Sequence, residues 1–259
     1  MSPHHLRPAA EPGVDTSLRA LDATLGYGGQ AVITGVTVTI APGEVVGLTG
    51  PSGSGKTTLG RAYAGLIAPM AGSVTLGGEA IETRRGRMSG RVAMLFQSPR
   101  RSCDPHLRLA EIIAQPLTVG RGARRGVRIA ADEREQAVRE VARRVGLTDD
   151  LLGRLPREVS DGQLQRAALA RALVSEPDHL VCDEATSMLD AATTASVIGV
   201  INGAVERGMG VLAISHDHEL LHAWTPTVHD LAVVTTSIAS RGEAVSDPVT
   251  PSVPVRLAG

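Results

Sequence analysis

Lysine is almost missing from this chain. Of its 26 basic side chains, 25 are arginine, and Lys56 is the sole lysine. Wherever a generic cation serves, the sequence uses the planar guanidinium. Position 56 is the exception, and it requires a compact ammonium on a slim stem. Aromatics are equally scarce at 2% of 259 residues, so the core must be built from Leu, Val, Ile and Ala. The single asparagine, Asn202, leaves no room for an N-K-x-D guanine-recognition motif. The two cysteines, Cys103 and Cys182, lack metal-ligand spacing and read as reduced thiols. No apolar run reaches the roughly 18–20 residues that span a bilayer, and Met1 to Ser17 carries no signal-peptide apolar core. A soluble, cytoplasmic chain is therefore expected, with any membrane role reached through a partner. Net charge is -1. The arginine clusters (Arg84, Arg85, Arg87, Arg91, then Arg121, Arg124, Arg125, Arg128) have no interleaved aromatics for base stacking. They read as solvated loops, and no nucleic-acid partner is expected.

Along the chain, residues 1–16 are Pro/His-rich and read as a flexible tail. Residues 17–48 are rich in β-branched residues and glycine, and Ala31 to Ile40 alternates as a strand does. A turn at Ala41 to Glu44 leads to a short apolar strand, Val45 to Thr49, then a glycine-rich loop and a helix over Thr57 to Leu66. Residues 98–158 are Arg-rich and helix-favouring, broken at Gly120 to Gly126, with amphipathic spacing over Ala130 to Val145. They read as a helical insertion. Gln163 to Leu173 is a further helix, and Leu180 to Cys182 and Gly210 to Ile214 are buried-type strands. From Ser240 onward the chain is expected to be irregular.

The chemistry concentrates in Gly50-Pro51-Ser52-Gly53-Ser54-Gly55-Lys56-Thr57, which fits G-x-x-x-x-G-K-[ST]. The glycines let successive backbone N–H groups converge on one concavity at a helix N-terminus, an anion site. Lys56 would reach the β and γ phosphates, and the Thr57 hydroxyl would bind Mg²⁺. Farther on, His179 to Cys182 is apolar and ends in Asp183-Glu184. A buried strand ending in Asp suits an Mg²⁺ partner for the phosphate loop. Glu184, one residue on, is placed to polarise a water for in-line attack.

With these residues in hand, the sequence resembles the ATP-binding cassette (ABC) ATPase family over about residues 17–240. Tyr27 matches the aromatic that stacks on adenine. Gln97 matches the glutamine that senses Mg²⁺ and the transmembrane partner. Val159-Ser160-Asp161-Gly162-Gln163 matches the signature, Ser187-Met188-Leu189-Asp190 the loop that crosses the dimer interface, and His216 the switch histidine near the γ-phosphate. The resemblance implies an α/β fold with a P-loop NTPase (RecA-like) core, an N-terminal antiparallel β subdomain and an inserted helical subdomain at about 98–164. One ABC ATPase domain would cover 17–240, leaving an irregular tail at 241–259. It implies ATP and Mg²⁺ as cofactors. Tyr27, Gly50 to Thr57 and Thr58 would hold ATP, and Thr57, Gln97 and Asp183 would surround the metal. Glu184, His216 and Gln97 would be catalytic.

The signature has its own physics: Ser160 and Gln163 spell a capping box opening a helix. In the family that helix caps the ATP of the opposite subunit, so Ser160, Asp161, Gly162 and Gln163 would act in trans on a second ABC ATPase, of the same or a different chain. Asp161 departs from the commoner glycine. A carboxylate about 6 Å from a phosphate, at an effective dielectric of ~20, costs roughly 2–3 kcal/mol per charge. Asp161 is therefore expected to point away from phosphate. The segment from Phe96-Gln97-Ser98-Pro99 to Pro116-Leu117, with Leu164-Gln165-Arg166, resembles the nickel, dipeptide and oligopeptide importer branch. That branch implies two transmembrane permease subunits, an extracytoplasmic solute-binding protein acting indirectly, and a peripheral place on the cytoplasmic face of the membrane. The short C-terminal segment favours nickel or a metal chelate as cargo over peptides. An exporter or lipoprotein-release ATPase, a non-transport ABC ATPase, and a nucleotide-binding regulator that does not turn over are the alternatives.

Overall fold

The computed structural model describes residues 15–81, 91–118, 130–187 and 189–231. Residues 1–14 of the tail expected at 1–16, the tail at 241–259, the break at 120–126, Met188 and all the clustered arginines except Arg91 lie outside the described residues, whereas Thr16, at the end of the expected N-terminal tail, is buried.

Two sheets form the scaffold. The first is antiparallel and four-stranded: β1 (Leu18–Tyr27), β2 (Gln30–Ile40), β4 (Ala71–Leu76) and β5 (Glu79–Ala80), in spatial order β2-β1-β4-β5. β1 and β2 are joined by the tight turn at Gly28-Gly29, with register from Leu18↔Ile40 to Tyr27↔Gln30. That register places Tyr27 at the hairpin tip. The second sheet is parallel, in order β6-β7-β8-β3-β9: β3 (Val45–Thr49), β6 (Val92–Leu95), β7 (His179–Asp183), β8 (Gly210–Ile214) and β9 (Thr227–Asp230). β3, β6, β7 and β8 are buried along their whole length. Their mostly apolar runs follow from a parallel sheet covered on both faces.

One core lies between the two sheets around α1 (Lys56–Tyr63) and contains Leu18, Leu25, Val38, Leu59, Tyr63 and Val181. The other lies on the opposite face of the parallel sheet. There α3 (Leu109–Thr118), α4 (Ala131–Arg144) and α6 (Asp161–Leu173) bury Ile112, Val141 and Leu164, among others. Two short helices, α2 (Pro99–Ser102) and α5 (Asp149–Leu152), join α3 and α4 between β6 and α6, where the described residues form no strand. α7 (Ala191–Val205) and α8 (His218–Trp224) flank β8.

α1 stops three residues before the end that its periodicity suggests. Gly65 takes a left-handed φ of 72° and donates to the Ala62 carbonyl at 3.0 Å, and Leu66 donates to Arg61 at 2.8 Å. This paired closure ends the helix and satisfies its last carbonyls. α6 begins at Asp161 rather than Gln163, because Ser160 is its cap. No described helix is long and apolar enough to cross a membrane.

Candidate functional site

The site forms where adjacent parallel strands end. β3 runs into the loop 50–55, β7 ends at Asp183, β6 delivers Gln97 and β8 delivers His216. The carboxyl edge of a parallel sheet is where open α/β folds place ligands.

Gly55 caps α1 with φ 99°, where an L side chain is strained. The first amides of α1 consequently open toward the loop rather than into a side-chain cap. Lys56 is only 8% exposed, and its Nζ donates to the carbonyls of Gly50 at 2.8 Å and Pro51 at 2.9 Å. Three donors and two carbonyl acceptors leave one N–H of the ammonium for an incoming anion. The Ser54 hydroxyl is buried without a hydrogen-bond partner in the same loop. Buried polar groups are normally paired, so an orphan beside a loop of converging amides suits a phosphate oxygen.

The Thr57 hydroxyl donates to Asp183 Oδ1 at 3.0 Å. Asp183 is buried, and burial pushes its carboxyl above the ordinary range; the Glu184 charge pushes the same way, while the Thr57 hydrogen bond partly offsets it. A desolvated carboxylate beside a hydroxyl is a pair of hard oxygen donors with a charge to be neutralised. These residues fit Mg²⁺.

Glu184 follows with φ 51°, an unusual value for a non-glycine residue, and its N–H donates to Ile214 at 2.9 Å. Such strain persists only where surrounding structure enforces it. The Glu184 carboxylate lies between residues delivered by the two neighbouring strands. There Gln97 Nε2 donates to Oε2 at 2.6 Å, and His216 Nδ1 lies 3.4 Å from Oε1. The order Gln97, Glu184, His216 repeats the strand order β6-β7-β8. Tyr27 stands apart from this cluster and 43% exposed. Its hydroxyl accepts from Arg61 at 3.0 Å, with the guanidinium carbon 5.9 Å from the ring centroid, so α1 braces the aromatic through Arg61.

The remaining predicted residues form a second cluster. Ser160 and Gln163 make the expected reciprocal cap: the Gln163 N–H donates to Ser160 Oγ at 3.2 Å, and the Ser160 N–H donates to Gln163 Oε1 at 3.0 Å. Asp190 caps α7, its carboxylate accepting the Thr193 N–H at 2.9 Å and the Thr193 hydroxyl at 2.7 Å. Thr193 in turn neighbours Gly162, so the starts of α6 and α7 sit side by side. Among the described residues, no hydrogen bond or ion pair joins Ser160, Asp161, Gly162, Gln163 or Asp190 to Lys56, Thr57 or Glu184.

Two links between the clusters are contacts that the sequence does not show. Gln165, buried on α6, donates to the carbonyl of Ala185, the residue after Glu184, at 2.6 Å. Arg100, three residues after Gln97, donates to Asp161 Oδ1 at 2.6 Å. The one sequence signal for Arg100 was the unexplained carboxylate at 161.

The model of the ABC transporter family matches residues 33–187. A Brucella abortus (strain 2308) protein, named as a peptide import ATP-binding protein, is 36% identical over 230 residues, which cover 83% of this chain and 67% of that protein. A Brucella ovis protein with the same kind of name is 38% identical over 191 residues, covering 72% of this chain and 58% of its own length. The chain thus spans about three-fifths to two-thirds of these relatives. Among solved structures, the dimeric structure of a bacterial ABC transporter cassette superposes with a TM-score of 0.72 at 25% identity, covering 82% of this chain and 93% of that one. The cbiO1 protein of Clostridium perfringens gives a TM-score of 0.70 at 22% identity over 83% of this chain and 84% of that chain, a likeness of fold.

Proposed function

Since this chain belongs to the ABC transporter family, as one of its nucleotide-binding ATPase cassettes, we propose that it is the ATP-hydrolysing motor subunit of a peptide importer. The observation that carries hydrolysis is the Glu184 carboxylate, held between the Gln97 amide at 2.6 Å and His216 at 3.4 Å, next to the Lys56 loop. A carboxylate oriented by two neighbours, at a strained backbone position, suits a group that must aim one water. Lys56 and the amides of 50–57 bind the β and γ phosphates. Tyr27 supports the adenine, and His216 steadies the γ-phosphate.

Thr57, Asp183 and Gln97 would hold Mg²⁺, which supplies charge neutralisation on the phosphate oxygens when bound. Hydrolysis passes a proton from the attacking water to Glu184, while Lys56 holds the phosphate end in line. The separation of the signature from this cluster supports a head-to-tail pair of cassettes, each completing the other's site with Ser160, Gly162 and Gln163. The pair would sit against two permease subunits on the cytoplasmic face of the membrane, with a solute-binding protein outside.

The names of the Brucella relatives support peptides as the cargo class. Nickel or a metal chelate is the other cargo of the branch that the segment after Gln97 resembles. Uptake of labelled dipeptide against chelated nickel, in vesicles holding the whole transporter, distinguishes the two.

The test of the motor itself is phosphate release. The wild-type chain is expected to turn over ATP, and Glu184→Gln is expected to lose about 100-fold or more in rate while still binding ATP, the size of loss typical for a removed general base. Equal rates for the two would support the non-hydrolysing regulator instead.

A further inference from the structure

Asp161 opens α6 where, in the proposed sandwich, the opposite subunit's phosphate approaches. A bare carboxylate there repels the ligand that α6 is meant to cap. The structure supplies an answer in Arg100. Its Nε donates to Asp161 Oδ1 at 2.6 Å, and its other two nitrogens donate to the carbonyls of Pro156 at 3.1 Å and Val159 at 3.3 Å. Those carbonyls belong to the stretch that leads into Ser160. Three acceptors on three nitrogens fix the plane of the guanidinium, which a lysine could not reproduce.

Arg100 lies on α2, whose start at Pro99 is two residues beyond Gln97. One side chain therefore ties the segment that contacts Glu184 to the helix that faces the other subunit. The pair is exposed, at 47% for Arg100 and 57% for Asp161. An ion pair this open contributes little to folding stability. Its effect must instead appear where charge meets charge.

We propose that Arg100 is a positioning residue for the signature helix: it turns the Asp161 carboxylate away from the trans phosphate, neutralises it, and makes Asp161 compatible with an active site. This inference rests on the reading of α6 as the cap of a second cassette's ATP. It also gives the expectation that Asp161 points away from phosphate a cation to hold it there.

The experiment is a double-mutant cycle on the full-length chain, read by phosphate release at saturating Mg–ATP. A second reading is ATP-dependent dimerisation in the hydrolysis-arrested Glu184→Gln background, followed by light scattering. Arg100→Ala is expected to lower turnover about tenfold or more and to shift dimerisation to higher ATP. In an Asp161→Gly background the same change should matter by less than about twofold, because no carboxylate remains to be held. Arg100→Lys should fall between, keeping the charge but losing the fork.

The melting temperature of Arg100→Ala should stay with that of the wild type. Should Arg100→Ala fold poorly, Arg100→Lys and Asp161→Asn give the same comparison without removing the side chain. The proposal is overturned if Arg100→Ala matches wild type, or if its loss is equally large in the Asp161→Gly background, where Arg100 would be serving only the Pro156 and Val159 carbonyls. A wild-type chain that releases no phosphate refutes the motor reading instead, a separate outcome.

Discussion

A single methyl group at Gly55 should disable the phosphate loop. Gly55 holds φ 99°, and a Cβ there would lie 2.3 Å from Ile33 Cγ1, 2.6 Å from Ile33 Cδ1 and 3.2 Å from Val32 Cγ1. Ile33 is 2% exposed on β2, so it has nowhere to retreat. Forcing an L residue into this backbone region costs roughly 1–3 kcal/mol, and overpacking a closed core costs about 1–3 kcal/mol more. Gly55→Ala should therefore lose about 2–6 kcal/mol, a fall of roughly 5–20 °C in melting temperature for a chain of this size. If the loop moves to relieve the clash, the Lys56 amide moves with it and ATP binding weakens. The assay is thermal denaturation with and without Mg–ATP, repeated in an Ile33→Ala background. Removing the Ile33 branches should recover part of the alanine's cost, while the backbone strain remains. Gly55→Ala within 0.5 kcal/mol of wild type, with unchanged ATP stabilisation, would refute the reasoning.

Two further predictions use other parts of the site. The Asp190 carboxylate is held below its ordinary range, first by the Thr193 N–H and then by the Thr193 hydroxyl. A lowered folded-state pKa means that its contribution is present above the unfolded value of 3.8 and lost as pH falls through the folded one. The gap in melting temperature between wild type and Asp190→Ala should thus be full at pH 6 and shrink toward pH 3, whereas a constant gap would contradict the cap. Burial pushes the Cys182 thiol up to about 12, with the Asp183 charge adding to it, and burial raises Cys103 as well. Iodoacetamide at pH 8 should label neither cysteine in the native chain and both in guanidinium; one full equivalent of native labelling would contradict the described packing.

Much of the site was legible in the sequence because its parts are local. A glycine loop between a strand and a helix, two acids ending an apolar strand, and a serine three residues before a glutamine each imply their own geometry. β8 was read to the residue, since a buried parallel strand is an unbroken apolar run. β1 was not delimited. Its alternation is broken by register shifts between Ala20 and Leu25, with Asp22 at φ 47°, so the two-residue period fails in mid-strand. The brace of Tyr27 by Arg61 and the hold of Arg100 on Asp161 were illegible for a different reason. They join residues 34 and 61 positions apart, and with 25 arginines no pattern singles out the two that matter. Asp161 itself was the informative departure: a lone carboxylate in a phosphate-facing motif called for a cation that only the fold could identify.

The central claim is that the only lysine grips a triphosphate inside a cradle of backbone amides. Isothermal titration of Mg–ATP into wild type, Lys56→Ala and Lys56→Arg tests it most directly. Uptake by wild type, weakened about 100-fold or more in Lys56→Ala by loss of the charge-assisted bonds, is the predicted result. Lys56→Arg should resemble the alanine variant, since its planar fork does not fit a stem only 8% exposed. No uptake by wild type, or undiminished uptake by Lys56→Ala, would contradict the account.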